Sequence, residues 1–282
     1  MRRRIVLRLV VFLLLVTFYV RLSATEERHW LVYYSDQSPV SAFDSYSLLV
    51  FNADRHPPLH PLGERGKVLL GYLSLGEVAK TNSYFDEVRA QGILLRQNAN
   101  WRGSYSVDLR DKRWVSRVIH QLIPDILHDG FDGIFLDTLD DAIELERVSP
   151  KEFNGMTKAA AQLVRTVRHH YPSIKIMMNR GYRLLPLVEQ HIDMVLGESM
   201  LAGYDFRRES YSLAPSTEYL QQVRLLKEAQ SRRPQLQVFT LDYWNPDDAA
   251  GIARIYREQR ANGFEPYVAT INLDRIIKEP AQ

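Results

Sequence analysis

A buried strand that ends in a carboxylate is the feature of this sequence best suited to chemistry. The apolar run Ile134–Leu136 lies between Gly133 and Asp137, and Asp140 and Asp141 follow within a helical turn. A carboxylate is costly to remove from water, so an acid placed where a core strand surfaces is typical of a catalytic or ligand-binding group. Capping of a following helix is the alternative, and it suits Asp140 or Asp141 better. The pattern favours a chemical role for Asp137.

Other apolar runs of the chain also end in polar groups. If the runs are strands of a parallel barrel, their carboxyl ends meet on one rim, where barrel active sites form. The groups at or near these ends are mostly acids and aromatic rings: Asp36, Tyr72, Glu77, Asp137, Asn179, Arg180, Tyr182, Glu198, Asp242, Tyr243 and Trp244.

This mixture of acids and aromatic rings narrows the chemistry. Paired carboxylates suit glycoside cleavage, in which one acid protonates the leaving oxygen and the other stabilises or captures the oxocarbenium carbon. Aromatic faces are platforms for sugar rings, and Trp101 in a polar loop adds one, although a single ring is more often core packing. We therefore predict a site that cleaves carbohydrate, with the rim groups and Asp140 as substrate contacts.

Metal and nucleophile chemistry have weaker support. None of the eight histidines lies at a predicted strand end, and His169 and His170 fall late in a predicted helix, where the helix dipole accounts for them. An all-oxygen calcium site is the remaining metal alternative, but no twelve-residue calcium loop is present. The segment Gly197–Ser199 does not complete a nucleophile elbow, and the chain has no cysteine. We predict neither a metal nor a cofactor.

Eight short apolar runs position these groups. Several are apolar throughout, as parallel strands covered on both faces are. In chain order they are His29–Tyr34, Ser47–Phe51, Val68–Leu73, Gly133–Leu136, Ile174–Met178, Met194–Leu196, Gln237–Leu241 and Pro266–Ile271.

Helical periodicity lies between most of these strands. The predicted helices span Trp114–Leu127, Phe153–His170, Thr217–Ala229 and Asp247–Ala261, the second starting from a cap at Ser149. Strands that alternate with helices eight times predict a single-domain α/β fold, a (β/α)₈ TIM barrel. A doubly wound open sheet is the alternative, but no Gly-rich phosphate loop follows the first strand.

The amino terminus has the features of an export signal. Arg2–Arg4 is positive, Leu9–Val20 is almost wholly apolar, and Ala24 offers a small residue at a cleavage point. A twelve-residue apolar run favours a signal peptide over a membrane span. An uncleaved anchor through residues 5–22 is the alternative. We therefore predict an exported protein, periplasmic or extracellular, or tethered at the inner membrane if the anchor is kept.

The charge of the chain changes once this segment is set apart. Residues 1–24, predicted as a signal peptide or signal anchor, hold five arginines and no acids. Residues 25–282, predicted as the barrel domain, then carry 31 basic and 34 acidic residues, a net charge of −3. The basic isoelectric point therefore gives no support to nucleic-acid binding.

Three motifs together carry a family resemblance: Gly71–Glu77, Gly130–Asp137 and Gly197–Ser199. They resemble the glycoside hydrolase family 114 barrels, and more closely the related family 166 hydrolase domain of the Pel-polysaccharide enzymes, across Trp30 to Ile276. The resemblance implies a secreted endo-hydrolase of biofilm polymers made of α-1,4-linked galactosamine or N-acetylgalactosamine. It also implies that Asp137 and Glu198 are the catalytic carboxylates.

With these roles carried over, Asp137 is the expected nucleophile and Glu198 the expected general acid/base of a retaining enzyme. Glu77, Asn179 and Asp242 are expected to position the substrate. Two other classes stay open from the sequence: an exported polysaccharide-binding barrel without turnover, and a membrane-tethered structural barrel. The expected partner is a galactosamine-rich polysaccharide, and the sequence makes no prediction of oligomeric state.

Overall fold

The protein is described here by a computed structural model that covers residues 29–281, and its strands are numbered along the chain. They are β1 (Trp30–Tyr33), β2 (Leu48–Phe51), β3 (Val68–Ser74), β4 (Glu77–Ala79), β5 (Leu94–Gln97), β6 (Ser104–Val107), β7 (Gly133–Asp137), β8 (Lys175–Asn179), β9 (Met194–Glu198), β10 (Ala202–Asp205), β11 (Ser210–Leu213), β12 (Gln237–Tyr243) and β13 (Glu265–Ala269).

Eight of these strands form one parallel sheet in the order β1-β2-β3-β7-β8-β9-β12-β13. The first and last strands lie side by side, as two hydrogen bonds show. The indole N–H of Trp30 donates to the carbonyl of Glu265 at 2.9 Å. The backbone N–H of Tyr34 also donates to the carbonyl of Leu273 at 2.7 Å. The sheet is therefore nearly closed, and the predicted TIM barrel is confirmed.

All eight predicted strands are present, and several run further than predicted. The apolar runs end at Leu136, Met178 and Leu196, whereas β7, β8 and β9 each include the polar residue that follows, Asp137, Asn179 or Glu198. Register pairs β7 with β8 and β8 with β9. These three side chains therefore leave adjacent strands at the same end of the barrel.

Helices cover the outside of the sheet. Their bounds are His60–Gly63, Phe85–Ala90, Lys112–Arg117, Ile123–Asp129, Leu139–Val148, Met156–His170, Leu185–Val188, Ser216–Arg232 and Ala249–Ala261, with 3₁₀ turns at Val40–Phe43 and Glu189–His191 and a π turn at Val118–Leu122.

The start predicted for the helix after β7 is wrong. Ser149 does not cap that helix, because it ends the preceding helix Leu139–Val148, where its N–H donates to the carbonyl of Leu145 at 3.0 Å. The next helix begins at Met156 after Gly155. The helix Leu139–Val148 was not predicted, because its acidic first turn hides the periodicity.

Two excursions from the barrel also escaped prediction. Strands β4, β5 and β6 form a small antiparallel sheet after β3, and β10 and β11 form a hairpin after β9. Their strands are short and mostly half-exposed, so they lack the apolar signal of the barrel strands. Their tips meet where the rings of Trp101 and Phe206 lie 5.1 Å apart, edge to face.

The motif around β7 uses its two aspartates at opposite ends of the strand. Asp132 precedes the strand, and its carboxylate accepts a hydrogen bond from the N–H of Leu69 at 2.9 Å, which fixes β3 beside β7. A side chain at Gly133 would lie 2.0 Å from the carbonyl oxygen of Lys175, so only glycine permits this approach of β8. Asp132 is thus structural, while Asp137 emerges at the opposite end.

The predicted signal segment, residues 1–24, lies outside the described residues and stays a prediction. Within residues 29–281, none of the helices combines the length and apolar character needed to cross a membrane.

Candidate active site

Asp137 and Glu198 are joined by a single amide. The Nδ2 group of Asn179 donates to Asp137 Oδ1 at 2.8 Å and to Glu198 Oε2 at 2.7 Å. Because both contacts share one nitrogen, the two oxygens lie at most the sum of these distances, 5.5 Å, apart. The order of strands in the barrel explains this arrangement, since β8 lies between β7 and β9.

Each carboxylate also accepts a hydrogen bond from a tyrosine. Tyr72 donates to Asp137 Oδ2 at 2.9 Å, and Tyr243 donates to Glu198 Oε1 at 2.5 Å. Burial and the nearby carboxylate charge raise the pKa of both phenols well above the usual range. The phenols are therefore neutral donors, and each carboxylate has two donors that orient it.

Tyr34 is a member of this group that the sequence analysis missed. Its ring lies 5.3 Å from that of Tyr72, and burial, then Asp137 and Glu198, raise the pKa of its phenol. Side-chain alternation could have found it, because Tyr33 packs outward against Phe43. The next residue must then point into the barrel.

The charge of the pair depends on pH near neutrality. Burial and the adjacent Glu198 raise the pKa of Asp137 from 3.8 to about 6, while the hydrogen bond from Asn179 opposes the shift. The pair therefore takes up a proton in mildly acidic solution. One ionised carboxylate beside one protonated carboxyl is the combination that acid-assisted glycoside cleavage requires.

Asp140 and Arg180 form an ion pair beside these carboxylates, with Nε 3.3 Å from Oδ2. Burial raises the pKa of Asp140, Arg180 lowers it, and the charge of Glu198 raises it further. Arg180 directly follows Asn179 and so brings a cation to the site. Tyr182, two residues further, donates to Gln222 Oε1 at 2.9 Å.

A second pair of carboxyl groups lies next to the first. Glu77 is only 6% exposed and accepts hydrogen bonds from Asn98 Nδ2 at 2.7 Å and Ser104 Oγ at 2.6 Å. The carboxyl of Asp141 is hydrogen-bonded to that of Glu77. Burial and the charge of Glu77 raise the pKa of Asp141 to about 9, so Asp141 is the protonated partner at neutral pH.

Asp242 does not join the predicted rim, and this placement was wrong. Tyr243 points toward Glu198, so the preceding side chain points out of the barrel. There Asp242 is fully buried, and it accepts hydrogen bonds from the N–H groups of Leu201 and Ala202 at 2.8 and 2.9 Å and from Gln259 Nε2 at 2.6 Å. Its contacts hold the hairpin after β9 to the helix Ala249–Ala261.

Three other predicted contacts form no hydrogen bond with the carboxylate pair in the described part of the chain. Trp244 donates to Asp248 Oδ2 at 2.9 Å, before the helix Ala249–Ala261. Asp36 is exposed and accepts from Arg55 Nε at 3.2 Å. Trp101 is 52% exposed in the loop between β5 and β6. The structure thus gathers Asp137, Asn179, Glu198, Tyr72 and Tyr243 in direct contact, with Asp140 and Arg180 beside them.

Across residues 29–281, His, Asp and Glu side chains form no group of three or more arranged to hold a metal ion. Asp137 and Glu198 are residues of the types that can supply proton transfer and carboxylate attack.

Known proteins share both the sequence pattern and the fold. An uncharacterised protein of Deinococcus radiodurans is 27% identical over 218 residues, which is 76% of this chain and 67% of that protein. The glycoside hydrolase domain of PelA from Pseudomonas aeruginosa aligns at 23% identity with a TM-score of 0.78, covering 89% of this chain and 98% of that one. Aspergillus fumigatus Ega3, in complex with galactosamine, aligns at 13% identity and a TM-score of 0.65, covering 90% and 95%.

The two structural likenesses show the barrel fold, and a sequence profile identifies the family. The profile of glycoside hydrolase family GH114 matches residues 17–281, which is most of the chain. The protein is therefore a glycoside hydrolase, and the chain belongs to glycoside hydrolase family GH114.

Proposed function

We propose that this protein is an exported endo-glycosidase that hydrolyses polysaccharides of α-1,4-linked galactosamine or N-acetylgalactosamine with retention of configuration. Asp137 is the nucleophile and Glu198 is the general acid/base. The observation that carries the proposal is the amide of Asn179 between the two carboxylates, which limits the separation of their nearest oxygens to 5.5 Å. Retaining glycosidases place their carboxyl groups about 5–5.5 Å apart, and inverting enzymes about 6.5–9.5 Å.

In the first step the glycosidic bond breaks. Glu198 in its acid form donates its proton to the glycosidic oxygen as the bond from that oxygen to the anomeric carbon breaks. An oxygen of ionised Asp137 forms an ester bond to the same carbon on the opposite face. Tyr72 and Asn179 hold the attacking carboxylate, because they donate to its two oxygens.

In the second step water releases the sugar. The Glu198 carboxylate, now ionised, takes a proton from water as the water oxygen bonds to the anomeric carbon. The ester bond to Asp137 breaks, which returns Asp137 to the ionised form and Glu198 to the acid form. Two displacements at one carbon give net retention.

Two features of the site support an amino-sugar substrate. With Arg180 paired to Asp140 and Glu198 in its acid form, the ionised Asp137 leaves the site with a net negative charge, which would attract the ammonium group of galactosamine. Oδ1 of Asn179 is buried and, among the described residues, has no hydrogen-bond partner, so it can accept from a sugar hydroxyl or amino group. The likeness to Ega3, whose structure holds galactosamine, is in keeping with this assignment.

Cleavage of defined oligomers tests the proposal. The purified protein is incubated with galactosamine and N-acetylgalactosamine oligomers, and the products are sized by mass spectrometry. We expect internal cleavage to shorter oligomers, and NMR of the first-formed reducing ends to show the configuration of the substrate. Asp137→Asn is the control for contaminating activity. Failure to cleave any of these oligomers would rule out this substrate class.

The pH dependence of kcat/KM tests the order of the two roles. Because the pKa of Asp137 is raised to about 6, a nucleophilic Asp137 loses activity as the pH falls below about 6, where it becomes protonated. If Asp137 were instead the proton donor, activity would fall as the pH rises above about 6. Because either assignment needs one ionised and one protonated carboxyl, the profile of the wild type is compared from pH 4 to 8 with that of Glu198→Gln on a substrate whose leaving group needs no protonation. A nucleophilic Asp137 keeps its fall in activity at low pH in that variant, whereas a nucleophilic Glu198 would leave the variant inactive at every pH.

Azide gives a second test that does not depend on pH. In Asp137→Gly, azide can replace the missing nucleophile, and the expected product is a glycosyl azide of inverted configuration. In Glu198→Ala, azide attacks the glycosyl-enzyme and gives the retained configuration. The opposite pattern would exchange the two roles.

Export is tested at the amino terminus. Sequencing the mature protein from the cell that makes it is expected to find a new terminus near Ala24. An intact Arg2–Arg4 segment in the membrane fraction would instead indicate a retained anchor.

A further inference from the structure

The backbone turns into the left-handed region immediately after each of the three linked residues of the site. Such a conformation is unfavourable for a non-glycine residue and persists only where the surroundings enforce it. Among the described residues five non-glycines adopt it, and three of them directly follow Asp137, Asn179 and Glu198: Thr138 at φ 63°, Arg180 at φ 50° and Ser199 at φ 51°.

The second and third of these turns are held by backbone hydrogen bonds between neighbouring strands of the barrel. The N–H of Arg180 donates to the carbonyl of Leu196 at 2.9 Å, and the N–H of Ser199 donates to that of Leu241 at 2.8 Å. Each turn therefore keeps the hydrogen bond to the next strand. These hydrogen bonds therefore fix the backbone at the ends of β8 and β9, next to Asn179 and Glu198.

Thr138 is held differently, by its side chain. Its hydroxyl donates to the carbonyl of Asp137 at 2.7 Å, accepts from the N–H of Gly76 at 2.8 Å, and lies 2.8 Å from the hydroxyl of Ser74. The N–H of Leu75 donates to the same Asp137 carbonyl at 3.0 Å. The hydroxyl thus joins the end of β7 to the turn that follows β3.

The contact between these segments leaves no room for adjustment. A Cβ atom at Gly76 would lie 2.0 Å from the carbonyl oxygen of Thr138, which is backbone and cannot swing away. A β-branched residue is a rare occupant of the left-handed region, so propensity does not explain the choice of threonine here. The three hydrogen-bonding neighbours of its hydroxyl explain why a threonine is present at this position.

We propose that Thr138 is a positioning residue, whose hydroxyl fixes the Asp137 carboxylate relative to Glu198 by clamping the end of β7 to the turn Ser74–Glu77. This role rests on the proposed function of Asp137 as nucleophile. The nearby backbone N–H of Thr138 also lowers the pKa of the Asp137 carboxyl. Loss of the clamp should therefore reduce turnover and raise the pKa of Asp137.

Three substitutions at this position test the proposal on the full chain. Thr138→Val keeps the shape and removes the hydroxyl, Thr138→Ser restores it, and Thr138→Gly adopts the left-handed turn without strain. Thr240→Val is the matched control, because it removes a buried hydroxyl that has no hydrogen-bond partner within residues 29–281. For each variant kcat and KM are measured on a galactosamine oligomer, with melting temperature by circular dichroism.

We expect Thr138→Val to lower kcat about 10- to 100-fold with KM changed less than about twofold, since an orientation error of this kind acts on the chemical step. The acidic limb of its pH profile, the range in which kcat/KM falls as Asp137 becomes protonated, should shift to higher pH. Thr138→Ser should recover most of kcat, and Thr240→Val should match the wild type. If Thr138→Val fails to fold, Thr138→Gly decides. A kcat and an acidic limb unchanged from those of Thr240→Val would overturn the proposal.

A measurement without substrate separates this inference from the proposed function. The carboxyl carbon of Asp137, labelled with ¹³C, is titrated by NMR in the wild type and in Thr138→Gly. A higher pKa in the variant supports the clamp even if no oligomer is cleaved, in which case the proposed substrate is wrong. An identical titration with wild-type turnover rejects the clamp alone.

Discussion

The site contains two pairs of carboxyl groups that the protein holds in different ways. Asp137 and Glu198 are kept apart by the amide of Asn179, which donates to both. Asp141 and Glu77, four residues beyond Asp137 and one turn beyond β3, are hydrogen-bonded to each other directly. An amide spacer lets each carboxylate hold its own charge, whereas direct contact requires one proton to remain between the two acids.

This difference gives the two pairs different roles: the first is suited to chemistry, and the second supports the structure of a loop. The first pair has neutral donors on every oxygen, so its members can be one acid and one base across a reacting carbon. The second pair fixes a loop, because Asn98 and Ser104, which donate to Glu77, flank the turn that carries Trp101. Asp141 belongs to the helix Leu139–Val148, so the pair ties that loop to the helix that starts after Asp137.

The largest effect should come from neutralising the first pair. Asp137→Asn and Glu198→Gln keep the shapes and hydrogen-bonding capacity of the side chains but remove attack or proton transfer. We expect each to lower kcat by at least about 10³-fold, with the fold retained. The matched change in the second pair, Glu77→Gln, should lower kcat far less. Steady-state rates on one oligomer, with circular dichroism spectra, check the comparison. Equal losses at both pairs would show that the second pair also takes part in the chemistry.

The next effect concerns the amides that serve the two pairs. Asn179→Ala removes the donor between Asp137 and Glu198, and a hydrogen bond to a charged group contributes about 1.5–3 kcal/mol, or roughly 10- to 100-fold in rate. Because that hydrogen bond lowers the pKa of Asp137, its loss should move the acidic limb to higher pH. Asn98→Ala removes the corresponding donor from Glu77.

For Asn98→Ala we expect a loss of kcat below about threefold with the acidic limb in place, because Asn98 contacts only the loop pair. Profiles of kcat/KM against pH for both variants make the measurement. An acidic limb that moves in Asn98→Ala, or stays fixed in Asn179→Ala, would contradict the separation of the two pairs.

The first pair could be predicted from the sequence, and the second could not. The apolar runs before Asp137 and Glu198 place both acids at strand ends, and barrel topology brings neighbouring strand ends together. The same argument finds Glu77, but from the sequence Asp141 could be a helix cap or a substrate contact. Only tertiary contact shows that it faces another acid and not solvent.

Two further errors at the site share one cause, the direction of a side chain on a strand. Tyr34 and Asp242 sit beside correctly predicted strands, yet one was missed and the other was placed in the site. Strand β12 runs on to Tyr243, so two consecutive polar residues leave it on opposite faces and only one can enter the barrel. The hairpin β10–β11, which covers Asp242, has too little apolar character to be seen beforehand.

The smallest expected effect on activity, and the clearest on stability, is at Asp141. Its folded pKa of about 9 lies far above the usual 3.8, so between these values the folded state keeps a proton that the unfolded state has lost. The stabilisation associated with this proton is complete below about pH 3.8 and is lost as the pH rises toward 9. Asp141→Asn replaces the protonated acid with a neutral donor of the same shape, so it avoids that loss. Because the stability lost between pH 3.8 and pH 8 is on the order of 5 kcal/mol for this shift in pKa, we expect the variant to melt about 10 °C or more above the wild type at pH 8.

The gap between the variant and the wild type should shrink to well under about 1 kcal/mol near pH 4, where the folded Asp141 is protonated and the unfolded one is about half protonated. Its kcat should stay within about threefold, because Asn can still donate to Glu77 and the loop keeps its place. Calorimetry at pH 4, 6 and 8 follows the predicted divergence. A gap in melting temperature that is independent of pH would mean that Asp141 and Glu77 do not share a proton, and the contrast between the two pairs would then rest on position alone.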